Sequence, residues 1–191
     1  YIDVFEFYNG VTSTAGRWSE GDSSTGYSIV MSDDGGLKLT NPATHNTNAK
    51  INFNGVKQFS PDSSVLQFVS KLTSTSGGSM IGLVSNMQQD NAYDSAVVQH
   101  DKGYSSMYTL SSDGTAQTAV SSGFSQDANW HVDKLELTTS ALLPSRDGVL
   151  GTSKTTRLPR TSAKMMPQAS VYGYSGNQSV LNIKYFEAYN T

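Results

Sequence analysis

The chain has 191 residues, enough for one domain with a proper core, here taken as residues 1–191. Apolar residues make up 36%, charged residues only 15%, the formal net charge is −3, and cysteine is absent. These values exclude disulfides, thiolate metal sites and thiol nucleophiles, and they remove the basic field that non-specific nucleic-acid binding needs.

Short apolar stretches separated by turn chemistry dominate the chain. Asn9-Gly10, Asp34-Gly35, Asn54-Gly55, Asp113-Gly114 and Asp147-Gly148 suit tight hairpins, because both residues tolerate positive φ. Asp3 to Tyr8 reads as a first strand. Tyr27–Met31 and Leu37–Thr40 flank Ser32-Asp33-Asp34-Gly35-Gly36 and predict a hairpin. Ala49 to Val56 alternates, with Ile51 and Phe53 on one face. Val65 to Leu72 has apolar residues on both faces, as in a strand covered on both sides. Met80–Ser85, Tyr93–His100, Tyr104–Leu110 and Thr115–Ser121 follow, the last two closing around Asp113-Gly114. In Trp130–Thr138, Trp130 and Val132 share one face and Leu135 and Leu137 the other, so a bulge is expected at Asp133-Lys134. Gln168–Tyr174 and Val180–Tyr189 finish the set. In the last, Leu181, Ile183 and Tyr185 alternate with Asn182, Lys184 and Phe186.

Helix signals are weak: Asn86–Ala92 is the best candidate, and it is short. Ser and Thr fill about a quarter of the chain and compete with helical hydrogen bonding. No run of 18 apolar residues occurs, so no membrane span is expected. About a dozen strands at regular spacing predict an all-β sandwich or barrel.

Four segments carry a resemblance. They are Asp3-Val4-Phe5-Glu6-Phe7 followed by Trp18; the hairpin Tyr27–Met31 with Leu37–Thr40; Asn129-Trp130-His131-Val132-Asp133-Lys134-Leu135-Glu136-Leu137 before the Asp147-Gly148 turn; and the closing strand Leu181–Tyr189. Their layout resembles the concanavalin A-like lectin/glucanase jelly roll, including laminin-G-like domains. The resemblance implies a two-sheet antiparallel β-sandwich with the last strand beside the first. It also implies a face or rim that binds saccharides or protein ligands, often near calcium. Fold alone does not assign function.

Retaining glycosidases need two carboxylates a few ångströms apart. No Glu-x-Asp-x-x-Glu stretch is present; Asp133 and Glu136 are offset by three, and Glu6 with Glu187 would form an ordinary cross-strand pair. The lyase-like composition around Gln99-His100, Tyr104 and Tyr108 lacks the surrounding motif. His45, His100 and His131 are far apart in sequence, and no Gly-x-Ser-x-Gly elbow exists, so structural roles are expected for all three. Glu20-Gly21-Asp22, Asp33-Asp34 and Asp90–Asp94 are oxygen-rich and could hold calcium, although none has EF-hand spacing.

Two binding surfaces are expected. Trp18, Tyr93, Gln99, Tyr104 and Tyr108 could face a glycan, since aromatic rings stack on sugars and amides bond their hydroxyls. Arg146, Lys154, Arg157, Arg160 and Lys164 concentrate basic charge in one loop-rich region that could hold an acidic partner. The expectation is a non-catalytic, secreted or cell- or virion-surface domain that binds glycan or builds a surface assembly, with no required cofactor and with self-association through sheet edges open to it. The alternative is a glycoside hydrolase or polysaccharide lyase on the same scaffold.

Overall fold

The computed structural model describes residues 2–5, 18–20, 25–33, 36–44, 47–53, 59–73, 77–86, 93–101, 104–173 and 176–191, with 2–5, 18–20 and 53 described as backbone. Every regular element among them is a strand. The turns Asn9-Gly10 and Asn54-Gly55 and most of the short helix candidate lie outside the described residues.

Fifteen strands form two antiparallel sheets. The first sheet runs β13 (Val149–Leu150), β12 (Leu142–Arg146), β11 (His131–Thr138), β6 (Ser63–Leu72), β15 (Val180–Asn190), β4 (Leu37–Thr40), β3 (Ser28–Met31), with β1 (Ile2–Phe5) also paired to β15. The second runs β10 (Gln117–Ser125), β9 (Ser106–Asp113), β8 (Asp94–His100), β7 (Gly78–Val84), β14 (Met166–Tyr172), β5 (Asn48–Phe53), β2 (Trp18–Glu20). This is the expected sandwich, and the last strand lies beside the first, with Val4 opposite Glu187. The strands β2, β12 and β13 have no counterpart in the sequence reading, because each is short or carries Pro or polar residues.

Strand alternation supplies the core. Leu37, Leu39, Leu66, Phe68, Leu135, Leu137, Leu181 and Phe186 from one sheet meet Ile51, Ile81, Leu83, Ala96, Val98, Ala169 and Val171 from the other, all buried. Phe68 and Phe186 stack across β6 and β15 with ring centroids 6.2 Å apart. At about 25 cal/mol per Å² this interior is the main stabilising term.

Two register details correct the sequence reading. No bulge interrupts β11, which pairs with β6 and β12 in continuous register. Instead Asp133 takes an inward position and Val132 points out, 41% exposed. Asp133 is tolerated inside because Arg146, opposite it on β12, donates Nε–H to Oδ1 (2.8 Å) and Nη2–H to Oδ2 (2.9 Å). A third guanidinium bond reaches the Ser125 carbonyl (3.0 Å). Burial still pushes the Asp133 carboxyl above its usual range, outweighing Arg146.

The bulge lies in β15, between Ile183 and Tyr185 against β6. Leu181 and Ile183 face inward, Lys184 is the extra, exposed residue, and Phe186 and Ala188 then take the inward places. Tyr185 therefore faces outward and Phe186 inward, opposite to the simple alternation. Gly36 makes room for this bulge: it has φ +86°, and a Cβ there would collide with the Ile183 carbonyl oxygen.

Candidate functional site

The outer face of the second sheet is the candidate site. Its side chains alternate with the core residues and are read directly from the register. One row is Leu110, Val97, Gly82, Gln168, Asn52 on β9, β8, β7, β14 and β5. The row on one side is Ser112, Ser95, Val84, Met166, and on the other Tyr108, Gln99, Met80, Ser170, ending at Lys50 on the β5 edge. None of these is an acid or a histidine.

The middle of this face is screened from solvent although it lies outside the main core. Val84, Val97 and Leu110 form a second apolar cluster with Met80 and Met166 against it. Uncharged polar groups are set among them. Gln168 is 0% exposed, and neither its Oε1 nor its Nε2 has a hydrogen-bond partner. Ser95 is equally buried with an unpartnered Oγ. Asn52 has a contact from its Nδ2 to Met166 Sδ at 3.5 Å. A buried polar group without a partner costs about 1–3 kcal/mol, so such groups are kept where something other than the protein bonds them.

Tyrosines stand at one end of the strands. Gln99 Nε2 donates to the Tyr172 hydroxyl (2.9 Å), and that hydroxyl donates to the His100 carbonyl (3.0 Å). Tyr104 and Tyr108 meet edge to face, 5.1 Å between centroids at 78°.

The structure distributes the sequence-predicted aromatic set along one sheet. Gln99 and Tyr108 are direct cross-strand partners, and Tyr104, 55% exposed, joins Tyr108. Tyr93 stands just before β8. Trp18 is on β2, five strands from β9 in the sheet order. At about 4.8 Å per strand that is roughly 24 Å, so the sheet does not bring Trp18 together with the others. Gln168, Ser95, Asn52 and Tyr172 were not singled out from sequence. The available signal is a glutamine inside the mostly apolar run Met165–Ala169.

The five basic residues do not gather into one cationic surface. Arg146 is buried on Asp133. Lys154 is 3% exposed and donates to Thr118 Oγ1 (2.6 Å) and the Thr156 carbonyl (2.7 Å), while burial pulls its ammonium below its usual range. Arg157 bonds Asp113 (2.8 Å), holding that carboxyl well below the carboxylate range. Arg160 clamps buried Asp94, with Nη2 at 2.6 Å. Lys164 alone is left exposed without such a clamp. Residues 151–165 thus strap one side of the sandwich, tied further by Thr152 N–H to the Ser122 carbonyl (2.9 Å).

The histidines within the described residues are structural. His100 is buried, bonded through Nδ1 to Ser79 Oγ (3.0 Å), and pushed down to about 3 by burial and then by the Arg146 charge. It stays neutral. His131 sits between Asp147 (2.6 Å) and Asp127 (2.9 Å). Burial opposes its charged form, but the two carboxylates outweigh that and raise it. His45 lies outside the described residues, as do Asp22, Asp34 and Asp90 of the candidate calcium acids, and Asp94 is held by Arg160. Among the described residues no group of three or more His, Asp or Glu could hold a metal, and no helix is long and apolar enough to cross a membrane.

No protein-family model matches the chain, and no curated protein matches it. Solved structures do. A Bacillus licheniformis β-glucanase aligns with a TM-score of 0.69 at 14% identity, covering 100% of this chain and 98% of its own. A pseudo β-1,3-glucanase of Mycobacterium tuberculosis aligns at 0.71 and 12%, with the same coverage. The carbohydrate recognition domain of Emp46p aligns at 0.63 and 11%, covering 91% of this chain and 88% of its own. At these identities the likeness defines the fold, which is a concanavalin A-like jelly roll sandwich.

Proposed function

We propose that the protein binds a glycan on the outer face of the second sheet and does not cleave it. The observation that carries this is the row through Gln168 and Val97. Its buried amide has no protein partner, and on the same face the partly exposed Met80, Gln99 and Tyr108 lie where a sugar's C–H face would rest. Ser95, Gln99 and Asn52 offer further hydroxyl and amide groups, and Tyr108 and Tyr172 stand at the rim. Neutral hydrogen-bonding groups next to an apolar platform suit a neutral saccharide better than a charged one. The hydroxyl-rich, charge-poor composition supports a secreted or surface setting, with the domain acting in adhesion or surface assembly.

A hydrolase is the second reading, favoured by neighbours described as glucanases, a Crh5 transglycosylase and endo-acting O-glycanases that initiate mucin breakdown. Against it, the outer-face positions of β7, β8, β9 and β14 offer no pair of carboxylates to serve as acid and nucleophile.

An oligosaccharide array followed by a reducing-end assay on every bound sugar separates the two. Binding without new reducing ends, weakened at least tenfold by Gln168→Leu, is the expected result. Release of new reducing ends from any bound polysaccharide overturns the non-catalytic reading.

A further inference from the structure

The opposite sheet carries a second recess. Its outer face at β3, β4, β15 and β6 holds a groove of about 390 Å³, lined by Val30, Met31, Lys38, Lys71, Thr73 and Asn182 among others. That volume falls in the range of small-ligand sites.

Register explains how the groove is built. Val30 lies opposite Lys38, Lys38 opposite Asn182, and Asn182 opposite Lys71. Two lysines are thus held two strands apart, roughly 10 Å, on either side of one amide. Asn182 is only 5% exposed, and its orientation is set from both ends: Ser32 Oγ donates to its Oδ1 (3.2 Å), and its Nδ2 donates to Thr73 Oγ1 (2.8 Å).

A third cation joins them. The β15 bulge turns Lys184 outward on this face, and its Nζ lies 4.2 Å from the centre of the Trp130 ring, with Lys71 Nζ at 5.2 Å from the same ring. The indole therefore gathers two ammonium groups beside the groove. Among the described residues Asp33 is the one carboxylate in the lining, against Lys38 and Lys71, in a chain of formal charge −3. Val30 and Met31, 50% and 38% exposed, form an apolar wall, and the Ser32 and Thr73 hydroxyls stand opposite the lysines. An apolar wall, hydroxyl groups and clustered ammonium groups together match a sugar ring that carries an oxyanion.

We infer that this groove is a second ligand site, separate from the one proposed above, that takes a saccharide bearing an acidic group, a uronate carboxylate or a sulfate ester. The inference does not rest on the function proposed for the other sheet.

The test is calorimetric titration of the whole chain with four probes at one ionic strength: a uronic-acid disaccharide, a sulfated disaccharide, a neutral disaccharide and inorganic sulfate. The Trp130 indole N–H is followed by NMR in parallel. At least one acidic disaccharide is expected to bind ten or more times tighter than the neutral one, to shift the Trp130 signal, and to weaken with added salt. The tighter of the two identifies the acidic group. Lys38→Gln and Lys71→Gln should each cost about tenfold with the fold retained by circular dichroism. A Trp130 shift produced equally well by the neutral disaccharide or by inorganic sulfate, or indifference of that shift to both lysine substitutions, would overturn the inference.

Discussion

Removing Arg146 alone should do far more damage than removing the whole ion pair. Asp133 is 1% exposed and accepts two guanidinium bonds of 2.8 and 2.9 Å. Arg146→Ala leaves that carboxylate in a low-dielectric interior without a counter-ion, which costs about 3–5 kcal/mol. For a chain of this size each kcal/mol lowers the melting temperature by about 2–4 °C, so a drop of about 6–20 °C is expected. Some of the charge will be relieved by protonation, which the upward shift of the Asp133 carboxyl makes easier, so the loss should shrink as the pH falls. Replacing both residues, Asp133→Leu with Arg146→Met, removes the desolvation cost together with the attraction and should return stability to within about 2 kcal/mol of the parent. Urea unfolding of the parent, Asp133→Leu, Arg146→Met and the double variant, followed by fluorescence, gives the double-mutant cycle directly, with Arg146→Ala measured beside them. The reasoning fails if Arg146→Ala costs under about 1 kcal/mol, or if the double substitution costs as much as the two single ones added.

Other consequences follow from the same structure. His131 has a raised folded-state pKa, so its bonds to Asp127 and Asp147 contribute fully below the unfolded value of 6.5 and are lost as pH rises through the folded value. The stability advantage of the parent over His131→Gln should therefore be largest in mild acid and shrink above neutrality; an advantage that grows with pH would contradict this. Gly148 and Gly36 both have positive φ, but a Cβ has open space at Gly148 and meets the Ile183 carbonyl at Gly36. Gly148→Ala should cost about 1–2 kcal/mol and Gly36→Ala clearly more, and equal losses in thermal unfolding would refute the bulge-packing argument. Arg160→Ala removes the partner of buried Asp94 and should loosen residues 151–165, detected as faster proteolytic nicking there; an unchanged cleavage pattern would count against the strap.

The sequence made the sheets legible and left the pairings hidden. Alternation in Leu37–Leu39, Ile81–Leu83 and Leu135–Leu137 is local and survives into the core unchanged. The bulge was misplaced because Trp130, Val132, Leu135 and Leu137 look out of phase when Asp133 is assumed to avoid the interior. Only the register to Arg146, 13 residues away, shows why an acid can sit there. The basic cluster was misread for the same reason: the carboxylates that neutralise Arg157 and Arg160 come from Asp113 and Asp94, 44 and 66 residues distant. Part of the candidate site could be read in advance, since Gln99, Tyr104 and Tyr108 are near neighbours in sequence. Gln168 and Asn52 could not, because they join that face only through the sheet order β8, β7, β14, β5.

The most direct measurement is a crystal structure of the protein with an oligosaccharide selected on the array. Density for sugar rings along Val97, Gly82 and Gln168, with a ring hydroxyl bonded to the Gln168 amide and the glycosidic bonds intact, is the predicted outcome. A sugar lodged away from that face, or one found cut between two acidic side chains, would contradict it.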